Sequence, residues 1–208
     1  MQTQTKESQA KLTPKEALQM LKDGNANFVQ NLRGNRNLQD QVKATANGQA
    51  PFATVLSCMD SRTSAELIFD QGLGDIFSIR VAGNVSNTDI LGSIEYAVAA
   101  VETKVLLVLG HTSCGAVGGA CNNFELGNLT SLLNKIQPAI EAETTVTENR
   151  TGSNADFVNK VAAINVRNVI EEIKKESPTT ANIAKDSSKL IIVGGMYDVV
   201  TGKVTIYE

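Results

Sequence analysis

The sequence predicts an α/β protein: a mostly parallel β-sheet flanked by helices. Two short apolar runs, at 53–57 and 105–109, are typical of strands that are buried on both faces. Amphipathic stretches lie between and after such runs, and strands that alternate with helices form parallel sheets through right-handed crossovers. With 208 residues, the chain is long enough for one such domain and too short for two ordinary ones.

The N-terminal quarter is predicted to be an arm on this domain. Residues 1–12 are polar, so we expect them to be frayed and the single folded domain to span 13–208. Thr13, Pro14 and Glu16 supply an N-cap, a first-turn proline and a capping-box glutamate. The helical arm and its polar linker occupy 13–49, and the arm packs either on its own domain or across a partner subunit.

The remaining elements follow from apolar runs and helical spacing. Strands are expected at 53–57, 76–81, 105–109 and 190–193. Helices are expected from a capping box at 63–66, from Asn87 or Thr88 to 101, from Ala116, over 129–140 with a disturbance at Pro138, and over 157–175. Residues 144–154 are predicted to form a surface loop. The alternation at 197–207 is consistent with a C-terminal edge hairpin.

Composition limits the classes of partner. A net charge of −3 and the absence of tryptophan give no reason to expect nucleic acid or an anionic membrane surface. No apolar run approaches the roughly 20 residues that a membrane span needs. Three cysteines do not suit a disulfide framework. Since the first residues also lack the apolar core of a signal peptide, a cytoplasmic location is expected. A periplasmic protein without its signal peptide would look the same.

Three side chains with affinity for soft metals follow two of the predicted strands. Cys58 comes directly after the first strand, while His111 and Cys114 come after the strand at 105–109. Open parallel sheets bind ligands at the carboxyl ends of their strands, so these residues are expected at one sheet edge. Catalytic zinc takes three ligands of the Cys, His or carboxylate type and leaves a fourth position open. The sequence therefore predicts a Cys₂His zinc site.

The third cysteine is not expected to take part. Cys121 lies seven residues after Cys114, which is about 10 Å along a helix. Two thiolates on one zinc ion must lie within roughly 4 Å of each other, given bonds of about 2.3 Å. Cys121 is therefore predicted to be a structural thiol.

Asp60 and Arg62 alternate with Cys58, so an extended backbone would place all three side chains on one side. Two arrangements remain open. Asp60 either ligates the zinc ion and closes its fourth position, or it pairs with Arg62 beside the metal.

These segments resemble a known family. Residues 58–62 (Cys-Met-Asp-Ser-Arg) and 111–115 (His-Thr-Ser-Cys-Gly) are similar to the two signatures of the β-class carbonic anhydrases. Residues 77–84, 94–98 and 165–166 also resemble that family. The similarity runs from about Thr13 to the C-terminus and points to the plant-like, bacterial members. The tryptophan-containing set of the bicarbonate-inhibited branch is not found.

The resemblance implies a function. One zinc ion per subunit would be held by Cys58, His111 and Cys114, with Asp60 and Arg62 as the catalytic pair. The reaction would be the reversible hydration of carbon dioxide to bicarbonate and a proton, by hydroxide that zinc supplies.

The resemblance also implies a substrate pocket and an assembly. Gln49, Phe77, Ala82, Tyr96 and Gly115 match residues on the substrate side. Because some of these residues reach the site across a subunit interface in the family, a homodimer or homotetramer is expected.

Two alternative functions keep the same site. One is hydrolysis of a CO₂ analogue, carbonyl sulfide or carbon disulfide. The other is a non-catalytic structural zinc module in which Asp60 is a permanent fourth ligand. A thiol redox protein is disfavoured because the sequence has no Cys-x-x-Cys motif.

Overall fold

The strands form one sheet, as the sequence predicts. The computed structural model describes residues 2–207. Five strands lie in that range: β1 (Ala53–Ser57), β2 (Ile76–Arg80), β3 (Val105–His111), β4 (Ile191–Tyr197) and β5 (Val204–Tyr207). Their order is β2-β1-β3-β4-β5. The first four are parallel, whereas β5 is antiparallel to β4 and completes the expected edge hairpin.

Helices cover both faces of the sheet. The α-helices within residues 2–207 are α1 (Lys6–Lys11), α2 (Pro14–Val29), α3 (Leu38–Thr45), α4 (Ala65–Ile68), α5 (Thr88–Glu95), α6 (Gly115–Cys121), α7 (Gly127–Asn134), α8 (Gln137–Ala142), α9 (Ala155–Glu176) and α10 (Pro178–Ala184). Helices α2 and α4 pack on one face, and α5 and α9 pack on the other. Over the described range, no helix combines the length and apolar character that crossing a membrane requires.

In this structure the helix of the N-terminal arm packs on its own chain. Helix α2 begins with the predicted capping box of Thr13 and Glu16. Its Leu18 and Leu21 side chains are buried in the same core as Phe69. Helix α2 therefore covers one face of the sheet at strands β1 and β3.

The expectation of a frayed segment over residues 1–12 is wrong for the part that forms α1. Its single buried residue, Gln9, donates from Nε2 to the carbonyl oxygens of Pro51 and Val101 at 2.7 and 3.0 Å. These two bonds tie the helix to distant segments, and a polar composition alone does not reveal them.

Two further local predictions need correction. The polar linker contains a helix, α3, capped by the Asn37 side chain. At 63–66 no capping box forms, because the Thr63 hydroxyl donates to the carbonyl oxygens of Cys58 and Asp60 instead, at 2.9 Å each. The Glu66 carboxylate accepts a bond from the Ser78 hydroxyl.

The predicted disturbance at Pro138 takes the form of a break between α7 and α8.

Candidate metal centre

The carboxyl ends of β1 and β3 lie side by side. The two strands are adjacent and parallel, with Ser57 of β1 paired to Leu109 of β3. Cys58 follows β1 directly, and His111 is the last residue of β3 rather than a residue beyond it. Strand order thus brings Cys58 and the His111–Cys114 turn to one edge of the sheet, as expected from the sequence.

Three candidate ligand atoms converge at this edge. The Cys58 and Cys114 sulfur atoms and a His111 ring nitrogen all lie within 4.8 Å of one another, and all three residues are buried. The two sulfur atoms are 4.0 Å apart. This group, found among residues 2–207, does not include Cys121, which ends the helix α6 as the distance argument requires.

The hydrogen bonding of the His111 ring leaves its Nε2 atom available to a metal ion. Its Nδ1 atom lies 2.9 Å from the carbonyl oxygen of Thr112. Because a carbonyl oxygen only accepts, Nδ1 carries the proton and Nε2 has a free lone pair. The Nε2 atom is buried and has no hydrogen-bond partner in the described part of the chain. Burial without a partner costs free energy, and a metal ion would remove that cost. Two thiolates and an imidazole suit zinc, so the residues fit the implied ion.

The two thiols titrate as a pair. Hydrogen bonding with Cys114 lowers the pKa of Cys58, and the same contact, together with burial, raises the pKa of Cys114. The backbone N–H of Gly83 also donates to the Cys58 sulfur atom at 3.4 Å. The pair thus favours one thiolate before a metal binds. By contrast, burial raises the pKa of Cys121 to about 11. All three cysteines are free.

Asp60 pairs with Arg62 in this structure. The carboxylate accepts from Arg62 Nε at 2.9 Å and from Nη2 at 2.8 Å, a bidentate arrangement. These bonds hold the pKa of Asp60 well below its usual range. The Asp60 Oδ2 atom lies 4.0 Å from Nε2 of His111. An oriented carboxylate anion therefore lies beside the ligand group.

The segment that carries Cys58 and Asp60 is also held by residues that are not candidate ligands. Arg80, the last residue of β2, donates from Nε to the Cys58 carbonyl oxygen at 3.1 Å and from Nη2 to the Asp60 carbonyl oxygen. Asn165 of α9 donates from Nδ2 to the Gly83 carbonyl oxygen at 2.9 Å. Arg80 and Asn165 appear in the sequence only within the family resemblance, and no local pattern reveals these contacts.

The residues assigned to the substrate side fall into two groups. Gly115 opens α6 directly after Cys114, and Ala82 precedes Gly83, whose N–H donates to the Cys58 sulfur atom. An added Cβ at Gly115 would meet no atom within 4 Å, so open space lies beside it.

The second group lies elsewhere in this chain. Phe77 and Tyr96 pack with ring centroids 6.1 Å apart in a cavity of about 560 Å³ whose lining includes none of the three candidate ligands. Gln49 is exposed and precedes β1, whereas Cys58 follows it. The five residues of β1 span about 16 Å, so Gln49 lies towards the opposite end of the strand.

Comparison with known proteins gives independent evidence about the family of this chain. A family model described as carbonic anhydrase matches residues 53–204. The carbonic anhydrase of Mycolicibacterium smegmatis is 42% identical over 134 residues, 61% of this chain and 65% of that protein. Carbonic anhydrase 2 of Mycobacterium tuberculosis is 45% identical over 117 residues, 56% of each chain. The aligned region thus spans less than two thirds of these relatives.

Solved structures with a similar fold include two β-carbonic anhydrases. A tetrameric β-carbonic anhydrase from Sordaria macrospora has a TM-score of 0.68 and 27% identity, covering 81% of this chain and 87% of that one. A Coccomyxa β-carbonic anhydrase in complex with acetazolamide has a TM-score of 0.70 and 23% identity, covering 80% and 77%. The family model spans most of the chain, and its match includes every candidate ligand as well as Asp60 and Arg62. The chain therefore belongs to the carbonic anhydrase family, and within it to the β class.

Proposed function

We propose that this protein interconverts carbon dioxide and bicarbonate at a zinc ion held by Cys58, His111 and Cys114. One observation carries the proposal: three buried soft-metal ligands converge beside the Asp60–Arg62 ion pair. Membership in the β-class carbonic anhydrase family supports it.

The residues around the ligand group have distinct tasks in this reaction. Zinc, when bound, supplies hydroxide near neutral pH because it lowers the pKa of a coordinated water molecule towards about 7. Asp60, kept anionic by Arg62, accepts a hydrogen bond from the attacking oxygen and so directs its lone pair at the carbon of CO₂. Arg62, whose side chain is 50% exposed, fixes that carboxylate. The small residues Ala82 and Gly115 leave room for the gas beside the ligands.

The proposal includes an even-numbered homo-oligomer, a homodimer or a homotetramer. Gln49 and Tyr96 are exposed, and Tyr96 packs with Phe77 away from the ligands of the same chain. A second copy would bring these three side chains towards the substrate. The tetrameric relative from Sordaria macrospora supports such an assembly. A cytoplasmic location is part of the same proposal, supported by three free cysteines.

The direct test is stopped-flow CO₂ hydration on protein with measured zinc content, from mildly acidic to alkaline pH. Cys58→Ala is expected to lose zinc and turnover together, because two ligands hold the ion poorly. Cys121→Ser is the matched control: it removes a buried thiol outside the ligand group and is expected to keep stoichiometric zinc and activity. Retention of full zinc by Cys58→Ala would overturn the ligand assignment.

The same assay decides between the alternatives. Zinc-loaded protein that hydrolyses carbonyl sulfide or carbon disulfide but does not hydrate CO₂ would be a hydrolase on the same site. Zinc-loaded protein that is inactive towards all three substrates at alkaline pH would be a structural zinc module.

A further inference from the structure

We propose that Asn159 is a positioning residue for His111, acting through the peptide unit between Thr112 and Ser113. The inference rests on the proposed metal site. It assigns a task to a residue that no sequence motif marks and that lies 46 positions from Ser113.

Both ends of one peptide unit are engaged. The N–H of Ser113 donates to Asn159 Oδ1 at 2.9 Å. The carbonyl oxygen of Thr112 accepts from His111 Nδ1, also at 2.9 Å. These two backbone groups belong to the same planar peptide, so the direction of one fixes the direction of the other. Asn159 thereby fixes the acceptor that orients the imidazole.

The turn needs such a support. Ser113 has φ = 55°, a left-handed conformation in which a residue other than glycine is strained. Such a conformation costs on the order of 1–3 kcal/mol and persists when its surroundings enforce it. The Ser113 carbonyl oxygen also accepts from Arg62 Nη2 at 3.4 Å. The strained residue therefore joins His111, Cys114 and the Asp60–Arg62 pair, and Asn159 is the side chain that holds its N–H.

The helix that carries Asn159 is a rigid support. Neighbouring Phe157, Val158 and Val161 are buried in the core that also contains Cys58 and Cys114. Helix α9 lies so close to β3 that a Cβ at Gly110 would lie 2.7 Å from a Val166 methyl carbon. A side chain on this face has a fixed distance to the His111 turn.

The orientation matters because Nε2 of His111 must face the sulfur atoms. A hydrogen bond at the other ring nitrogen sets the tautomer and the ring direction of a metal-binding histidine. Loss of such an outer partner typically weakens metal binding about 10- to 100-fold. Without Asn159, the peptide loses the bond that fixes its N–H, and the direction of the imidazole ring is less restricted.

The test measures zinc release from the full chain to an excess of a chromogenic chelator. Asn159→Ala is expected to release zinc about 10- to 100-fold faster than the wild type. Asn159→Asp keeps the acceptor oxygen, so it is expected to escape this acceleration and to release zinc at the rate of the wild type. Asn168→Ala changes an asparagine of the same helix that lines a cavity containing none of the three candidate ligands. It is the matched control and is expected to behave as the wild type.

A second measurement distinguishes a changed position of His111 from a general loss of rigidity in the protein. The visible absorption of the Co²⁺-substituted protein reports ligand geometry; it is expected to shift in Asn159→Ala and to stay unchanged in Asn168→Ala. If Asn159→Ala fails to fold, Asn159→Lys replaces it, because lysine is polar but cannot accept the Ser113 N–H.

Three results would overturn the inference: unchanged zinc release in the variants that lack the acceptor, equal acceleration in Asn168→Ala, or equal acceleration in Asn159→Asp. These results are independent of turnover. A wild type that binds zinc without hydrating CO₂ would refute the proposed function, while the order of release rates would still test the role of Asn159.

Discussion

Two aspartate–arginine pairs in this protein have the same chemistry and different surroundings. Asp70 and Arg36 form a buried pair, with side chains 3% and 11% exposed. Asp60 and Arg62 form the pair at the ligand group, with side chains 17% and 50% exposed. In both pairs the pKa of the carboxyl group lies below its usual range.

The difference lies in what else the carboxylate does. Asp70 also accepts from the N–H of Gly34 and from Nδ2 of Asn27, so its oxygen atoms are occupied by the segments that it ties together. The Asp60 carboxylate accepts only from Arg62 among the bonds found in residues 2–207. Its Oδ2 atom faces His111. A buried carboxylate whose oxygen atoms are all hydrogen-bonded stabilises the fold. A carboxylate with an oxygen atom facing the candidate ligands is available to a reaction there.

The largest expected effect comes from Asp60→Asn. The amide keeps the size of the side chain but removes the charge and one acceptor, so turnover in CO₂ hydration should fall by about two to four orders of magnitude. Zinc content should stay stoichiometric, because Asp60 pairs with Arg62 and not with the ligand group. The measurements are stopped-flow hydration and metal analysis on the same sample. Unchanged turnover would remove Asp60 from the mechanism.

The second effect comes from Asp70→Ala, which leaves the buried Arg36 cation without its partner. Breaking a buried pair in this way typically costs about 3–5 kcal/mol, so the free energy of unfolding should fall by that amount in a urea titration. Zinc content and turnover per folded molecule should match the wild type. A variant of normal stability that has lost zinc would reverse the roles given to the two pairs.

The sequence predicts the parts of the site that depend on local signals. Strands β1 and β3 follow from apolar runs, and their shared edge follows from parallel order, so Cys58 and His111 could be placed together before the structure was known. The Asp60–Arg62 contact was one of two open arrangements, because spacing shows proximity and not the bond that forms.

The rest depends on contacts between distant segments. Thr63 and Glu66 have the spacing of a capping box, yet each bonds to another part of the chain. Helix α1 is fixed by Gln9 bonds over 42 and 92 positions. The Asn159 bond to Ser113 crosses 46 positions. One missed element did carry a local signal, since Asn37 is a good N-cap residue and precedes α3.

The smallest effect is a dependence on pH that separates the buried pair from the exposed one. Burial acts to raise the pKa of Asp70, but hydrogen bonds from Arg36 and Gly34 outweigh it and the net pKa is lowered. A lowered pKa in the folded state adds stability above the unfolded value of about 3.9, and this contribution is lost as the pH falls through the folded value. Wild type should therefore be more stable than Asp70→Asn at neutral pH, and the difference should shrink below about pH 4.

Urea midpoints of wild type, Asp70→Asn and Asp60→Asn between pH 7 and pH 3 measure this difference. The Asp60 pair should show a smaller change than the Asp70 pair, although both pKa values are lowered, because solvent screens a half-exposed arginine. A stability gap for Asp70→Asn that stays constant across this range would mean that the Asp70 charge does not stabilise the fold. The buried pair would then add no more to the stability of the fold than the exposed pair does.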